Sequence, residues 1–413
     1  MRILHTSDWH LGQTLHGHER TYEHDQFLDW LLQTLVVEQV DALLVAGDLF
    51  DSSNPPASCQ RRLFKFLAAA RVRLPHLNIV MVAGNHDSAG RLEAPSPLLE
   101  SLGIVVIGQP IRLPDGSLDL ERMVVPLTVE GRVSAWCLAV PFLRPGDVPR
   151  IEAAEDPYAA GIAALYRQTL EIALSRCQPG QAIVAMGHCH LVGGKVSELS
   201  ERRIVIGGAE AMPVDMFGAE IAYVALGHLH LAQSVGTTSR RYSGSPLPLS
   251  FGESDYPHQV MLVDLAGNAV ADLRELRVPR AVEMLRIPAE PAPIDAAIAM
   301  LAQLELPAVA EMAWPYLEVR VVLDAPAPDL RARIEAALAD KPVRLARIET
   351  RQAAAAEGTV AAAVSLDELE RLEPADIFIR IYREKYGEAP PAPLLSALTE
   401  LMMGGVGTEG VTP

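Results

Sequence analysis

Aspartate, asparagine and histidine recur in this sequence at one kind of place, directly after a short apolar run. "RILH" leads to Asp8 and His10 in "SDWH". "DALLVAG" leads to Asp48, and "NIVMVAG" leads to Asn85 and His86, with Asp87 behind them. "AIVAMG" leads to His188 and His190, and "IAYVALG" to His228 and His230. Carboxylate oxygen mixed with imidazole nitrogen suits Mn²⁺, Fe²⁺ or Zn²⁺, and fits neither Ca²⁺ nor a cysteine-built structural zinc site. A lone histidine after an apolar run is more often a hydrogen-bonded side chain than a ligand. Five such junctions in one chain are hard to explain that way. Gly47, Gly84, Gly187 and Gly227 each stand immediately before a candidate donor, where a residue without a Cβ lets the backbone turn sharply and pass close to an ion.

Seven donors (Asp8, His10, Asp48, Asn85, His188, His228 and His230) are too many for one ion and enough for two if a carboxylate bridges. Two metals about 3.5–4 Å apart activate water and neutralise charge on a phosphoryl group in transfer. A neutral Asn ligand keeps positive charge available for phosphate. His86 is then a spare imidazole beside a ligand, placed to stabilise the transition state or protonate the leaving oxygen. Simpler roles suit other residues. Asp87 is expected to orient His86 or cap its turn rather than bind metal. His190 sits at the same offset after its glycine as His230, but His188 follows its strand directly, as His228 does, and is preferred. His5 falls within a strand and reads as structural. His16, His18 and His24 read as solvated surface, Cys189 as a small apolar filler, and "RYSGSPLPLSFGE" (241–253) as a Ser/Pro turn.

The elements that would position these groups alternate along the first two-thirds of the chain. Apolar runs at 2–5, 41–47, 78–84, 104–107, 133–140, 182–187, 221–227 and 259–264 read as strands. "TYEHDQFLDWLLQTLVVEQV" and "CQRRLFKFLAAARV" read as helices. That is an α/β pattern, in which functional groups gather beyond the carboxyl ends of strands. The texture changes near residue 280. Residues 281–351 read strand, helix, strand, helix, strand with proline punctuation, and are expected to form a small separate α+β domain. From 352 to 413 an alanine-rich linker leads into short amphipathic helices. Ser365 and Glu368 make a capping box, Ile377, Phe378 and Ile381 one stripe, and Leu394, Leu395, Leu398 and Leu401 another. Those helices pack on the chain or dock on a partner.

The chain has 413 residues, 49% hydrophobic and 21% charged, which suits a globular protein of two or three domains. A formal charge of −17 disfavours a free-standing nucleic-acid binder, while leaving nucleic acid open as a substrate reached through metal ions or a basic partner. Cys59, Cys137, Cys177 and Cys189 have no CxxC spacing and fit reduced thiols in a cytoplasmic protein. No secretory leader and no membrane span are expected, since no run reaches the ~18 apolar residues that crossing requires.

Taken in order, D-x-H, GD, GNHD, GH and GHxH, present as "DWH", "GD", "GNHD", "GHCH" and "GHLH", resemble the calcineurin-like metallophosphoesterases. The resemblance implies two facing β-sheets flanked by helices. It implies that Asp48 bridges two ions, with Asp8, His10 and His230 completing one site and Asn85, His188 and His228 the other. His86 matches the family's catalytic histidine. A narrower resemblance covers nearly the whole chain, through "HTSDWHLGQ", "VDALLVAGDLFDSSNPP", "GNHDS", "YVALGHLHLAQ" and "YSGSPLPLSFGE". It is to the branch formed by bacterial nuclease subunits. That branch implies a phosphoesterase core over 1–280, a capping domain over 281–351 and partner-binding helices within 352–413. It further implies Mn²⁺-dependent DNA cleavage, exonucleolytic on double-stranded ends and endonucleolytic on hairpins or single strands. Its members act in repair and recombination with a coiled-coil ATPase, as a homodimer within a heterotetramer. One departure stands out: some relatives carry "GDLFH", where this chain has Asp51, which cannot make a cationic phosphate contact. The competing readings are a nucleotide phosphodiesterase, a protein phosphatase (weakened by the missing GDxxDRG and GNHE patterns) and a non-catalytic DNA-end tether, weakened because no donor is missing.

Overall fold

The computed structural model describes residues 1–149, 151, 154, 156–195, 211–325, 327–352 and 390. The chain divides into two units, Met1–Arg351 and Gln352–Pro413. The second lies almost wholly outside the described residues, as do the capping box and both apolar stripes expected within it.

In chain order the first unit contains β1 (Arg2–Thr6), α1 (Thr21–Val37), β2 (Ala42–Ala46), α2 (Ala57–Arg73), β3 (Asn78–Val82), β4 (Ile104–Ile107), β5 (Val124–Val129) and β6 (Arg132–Ala139). Then follow α3 (Pro157–Arg176), β7 (Ala182–His188), β8 (Ile221–Gly227), β9 (Gln233–Val235), β10 (Thr237–Tyr242), β11 (Gln259–Ala266) and β12 (Ala269–Arg277). These strands build two six-stranded sheets, ordered β12-β11-β1-β2-β3-β4 and β9-β10-β8-β7-β6-β5. In the first, β1 to β4 pair in parallel and β11 adds antiparallel; in the second, β6, β7, β8 and β10 pair in parallel.

Side-chain alternation explains the layering. Along β2 every residue is buried, but Ala42, Leu44 and Ala46 enter the core shared by the two sheets, whereas Leu43 and Val45 enter the core beneath α1 and α2. The second sheet supplies Ala135, Cys137, Val184, Met186, Tyr223 and Ala225 to the shared core. α1 and α2 turn Phe27, Leu31, Leu35, Leu63, Phe66 and Leu67 onto the outer face of the first sheet. Both sheets therefore have water-free faces, and their parallel strands end along one edge.

Beyond residue 280 the order is β13 (Met284–Pro293), α4 (Ile294–Ala302), β14 (Tyr316–Leu323), α5 (Leu330–Leu338) and β15 (Arg344–Gln352). The three strands form a separate sheet, and the two helices bury Ala297, Leu301, Ile334 and Leu338 against Leu317, Val319 and Val321. A small cluster of Leu15, Phe251, Val282, Met284 and Tyr316 joins this sheet to the loops around the strand ends.

Two expectations require correction. His24 is not on the surface: it is 1% exposed at the start of α1, and burial holds its imidazole well below its usual pKa. The 241–253 segment is not an ordinary turn, because Ser243, Ser245 and Glu253 within it are all fully buried.

Candidate metal centre

All five junctions meet at the edge where the parallel strands end. β1 delivers Asp8 and His10, β2 Asp48, β3 Asn85 and His86, β7 ends on His188, and β8 is followed by His228 and His230. Four donors have left-handed backbones: Asp8 (φ 55°), His10 (φ 45°), Asp48 (φ 51°) and His228 (φ 101°). Such conformations cost of order 1–3 kcal/mol each in a residue with a Cβ and persist only where the surroundings impose them. Here the imposition is visible. Asp8 N–H donates to Gly47 O at 2.9 Å and His10 N–H to Asp48 O at 3.0 Å, strapping the first two loops together. Gly47 itself has φ +91°. Gly227 lies where the sheets approach so closely that a Cβ would stand 1.9 Å from Ala46 O.

Asp48 is the centre of the arrangement. Its Oδ2 lies 3.3 Å from His188 Nε2 and 3.6 Å from His10 Nε2, and its Oδ1 accepts from His86 N–H at 2.8 Å. On one side, Asp8, His10 and His230 bring one donor atom each to within 4.8 Å of the others. On the other, Asp8, Asp48 and His188 do the same, and Asn85 Oδ1 lies 3.0 Å from His188 Nε2 and 3.1 Å from His228 Nδ1. His86 brings a ring nitrogen within 4.8 Å of His10 and Asp48. All donors but Asn85 are buried; Asn85 and His86 are half-buried and form the solvent-facing rim. His190 is outside these groups, its Nε2 3.4 Å from Gly194 O.

These residues fit divalent ions. His10 Nε2 is buried and has no hydrogen-bond partner among the described residues, an expensive arrangement for a protein to keep unless the lone pair is used. The other ring nitrogens are committed in the way metal-binding histidines require. His188 Nδ1–H donates to Ala46 O at 2.8 Å, which leaves the lone pair on Nε2. His10 Nδ1 meets the Asp51 carboxylate at 3.1 Å, and His230 Nδ1 meets Glu253 at 2.8 Å. His86 Nδ1–H donates to Asp51 O at 2.9 Å.

The electrostatics favour a charged bridging group. Burial would raise the Asp48 carboxyl, but His188, with His10 and His86, more than offsets this and holds it well below the usual carboxylate range. Burial likewise lowers His188, yet the Asp48 carboxylate outweighs it and carries the imidazole up to about 9, so an ion bound at Nε2 would displace a proton. Burial, reinforced by His188, keeps His228 neutral, the form in which imidazole binds metal. Asp87 acts differently. Its carboxylate accepts from Gly84, Leu49 and Phe50 N–H at 2.9, 3.1 and 2.9 Å, tying the Asn85–His86 loop to the Asp48 loop. Burial and the nearby Asp48 charge raise it to about 6.

Three contributors escaped the motif reading. Asp51, Glu253 and Ser7 (whose hydroxyl donates to the Asp8 carboxylate) all act on a donor rather than on an ion. Ser7 and Asp51 lie next to motif residues and could have been suspected. Glu253 lies 23 residues beyond His230, with no spacing signal to connect the two. Cys189 is a bystander, its thiol pushed by burial up to about 12. His5 is structural, with Nδ1 2.9 Å from Tyr223 Oη and Nε2 3.1 Å from Leu226 O.

Two sheets whose parallel strands converge on a carboxylate-centred, histidine-rich cluster define the calcineurin-like phosphoesterase class, and residues 1–232 match that family's model. Residues 280–386 match a second, the Type 5 capsule protein repressor C-terminal domain. Among curated proteins, the chain is 45% identical over 370 residues to the SbcD component of the SbcCD nuclease of Rhodobacter capsulatus, covering 86% of this chain and 90% of that one. Its Escherichia coli K12 counterpart is 33% identical, with 84% of both chains covered, and that of Bacillus subtilis is 37% identical, covering 67% and 69%. The chain belongs to the SbcD family of calcineurin-like phosphoesterases. It is a metal-dependent phosphodiesterase, and Asp8, His10, Asp48, His86, His188 and His230 form groups close enough to hold the divalent ions this class requires. Among the described residues no helix is long and apolar enough to cross a membrane.

Proposed function

We propose that this chain is the nuclease subunit of an SbcCD-type complex, cleaving DNA at a dinuclear centre whose two ions Asp48 would share. Asp8, His10 and His230 would complete one site; Asn85, His188 and His228 would complete the other. The observation that carries the reading is the convergence of seven donors from five strand ends, with the buried Asp48 carboxylate at their centre. The ions, Mn²⁺ in this reading, supply an activated water and neutralise charge on the phosphoryl oxygens. The chain's own residues do the rest. Asn85 and His86 form the rim that meets the substrate, and Asn85 adds no negative charge to repel a phosphate. His86, held through Nδ1 by Asp51 O, offers Nε2 to hold a proton near the leaving oxygen.

The names of the relatives support a partner subunit, and the match over residues 280–386 supports a distinct region after the phosphoesterase core; the finer parts extend this reading. Residues 1–280 act as the nuclease domain and 281–351 as a capping domain. Residues 352–413 form a linker and helices that bind an SbcC-like coiled-coil ATPase. The complex is a heterotetramer built on a homodimer of this chain, working in the cytoplasm on double-stranded ends, hairpins and single strands. A chain carrying −17 repels DNA at long range, so the ATPase supplies most of the DNA-binding surface.

The test is cleavage of a hairpin-ended linear DNA in Mn²⁺ by the chain with its ATPase, beside Asp48→Ala and His86→Ala. Metal-dependent cutting that both substitutions reduce by at least 10²-fold is expected. Hydrolysis of nucleotide diesters but not DNA by the intact complex would make it a small-molecule phosphodiesterase. Inertness on both would make it a tether.

A further inference from the structure

Building on the proposed metal site, we propose that Glu253 is a positioning residue of that centre: its buried carboxylate holds Nδ1 of His230 and so sets the ring that completes one site. Glu253 is fully buried, and its Oε1 lies 2.8 Å from His230 Nδ1, itself in a residue only 4% exposed. A carboxylate without exposure is costly unless its oxygens are engaged. The second oxygen is engaged too: Glu253 Oε2 accepts Leu249 N–H at 2.7 Å. The carboxylate is thus anchored on one oxygen by the backbone of its own loop and presents the other to the histidine.

That loop is clamped from three sides. Arg20 Nη1 donates to Pro248 O at 2.7 Å and to Gln13 Oε1 at 2.9 Å, and Gln13 Nε2 donates to Leu249 O at 3.1 Å. Ser245 N–H donates to His230 O at 3.1 Å, joining the start of the loop to the histidine's own backbone. His258 spans Ser245 O and Glu253 O, at 2.9 and 3.0 Å, closing the loop behind the carboxylate. This is more structure than a turn needs, and it fixes the backbone before and at Glu253, from which Oε1 reaches His230. A carboxylate on the remote nitrogen of a ligating histidine fixes the ring's orientation and raises its basicity toward the ion.

The experiment is a Mn²⁺ titration of the purified full-length chain, followed by calorimetry and by the electron paramagnetic resonance signal of free Mn²⁺. It compares wild type with Glu253→Ala, Glu253→Gln and Glu253→Asp, and the melting temperature of each is measured in chelator. One site is expected to weaken by about 10–100-fold in Glu253→Ala. Glu253→Gln should recover part of that loss, because its amide oxygen still accepts from His230 but cannot also serve Leu249. Glu253→Asp, with its carboxylate drawn back by one methylene, should bind less well than Glu253→Gln despite keeping the charge. A residue that merely stabilises the fold would shift the melting temperatures without this order of affinities. Wild-type affinity at both sites in a folded Glu253→Ala overturns the proposal. Should Glu253→Ala not fold, Glu253→Asp binding at least as tightly as Glu253→Gln overturns it. No Mn²⁺ bound by the wild type would instead overturn the metal-centre reading on which the proposal rests.

Discussion

Asp51 shows how one residue can serve two histidines through different groups. Its carboxylate meets His10 Nδ1 at 3.1 Å, while its backbone carbonyl accepts from His86 Nδ1 at 2.9 Å. The position that carries histidine in some relatives is here an orienting acid, so the departure from "GDLFH" changes the role of the position. Removing the side chain separates the two functions. Asp51→Ala keeps the carbonyl, so His86 stays oriented while His10 loses its partner. Because the carboxylate is 39% exposed, the loss is expected to be modest, about tenfold in Mn²⁺ affinity, near the low end for such partners. Asp51→Asn, which retains an acceptor, should lie close to wild type. His86→Ala should show the opposite pattern, unchanged metal binding with lost turnover. Calorimetry and single-turnover cleavage on the same three variants separate these outcomes; a turnover defect in Asp51→Ala at saturating metal would refute the division.

The strands and their burdens were legible because two patterns coincided. Apolar runs marked β1, β2, β3, β7 and β8, and each run ended on a polar residue with no reason to follow a core strand except chemistry. The edge strands β9 and β12, and β10 beside β9, gave no such signal: β12 has only exposed and half-buried residues and reads as surface. The partners of the donors were illegible for a related reason. A carboxylate that touches a histidine 23 residues away leaves no period in the sequence, and a histidine buried at a helix start, as His24 is, looks like one in solvent. His5 is the element-scale counterpart. It sits in β1 with both ring nitrogens engaged by β8, at Tyr223 and Leu226, and burial lowers its pKa from 6.5 to about 3. The unfolded chain therefore binds a proton that the folded chain refuses between these values, and stability rises with pH across that window. The contribution is fully present above pH 6.5 and is lost as pH falls toward 3, by at most ~5 kcal/mol. His5→Gln should be less stable at pH 7 but lose less on acidification. Chemical denaturation of both proteins at pH 7 and pH 5 tests this, and parallel losses would show that His5 is not the titrating group.

At the scale of the whole molecule, the β13-β14-β15 sheet reaches the loops of the metal centre at two points, Arg286 of β13, whose guanidinium donates to Phe251 O, and the buried Tyr316. Tyr316 starts β14, is fully buried, and packs with Leu15, Phe251, Val282 and Met284. Its hydroxyl donates to Glu23 Oε2 at 2.9 Å, and Glu23 is paired with Arg20, the residue that clamps Pro248. Burial and the Glu23 carboxylate push the phenol up to about 12, so it stays a donor at any working pH. A hydrogen-bond path thus runs from this sheet to the loop that carries Glu253, and its links differ in consequence. Tyr316→Phe removes the donor to Glu23 but leaves the ring in its cluster and leaves Arg20 attached to Glu23, Gln13 and Pro248. The expected cost is about 1.5–3 kcal/mol, as for a hydrogen bond to a charged group, seen as a lower unfolding midpoint in denaturant. Mn²⁺ affinity should not change, because the clamp on Pro248 and Leu249 survives. If Tyr316→Phe instead weakened Mn²⁺ binding at equal occupancy of the folded state, the sheet would be a regulator of the centre rather than a neighbour braced against it.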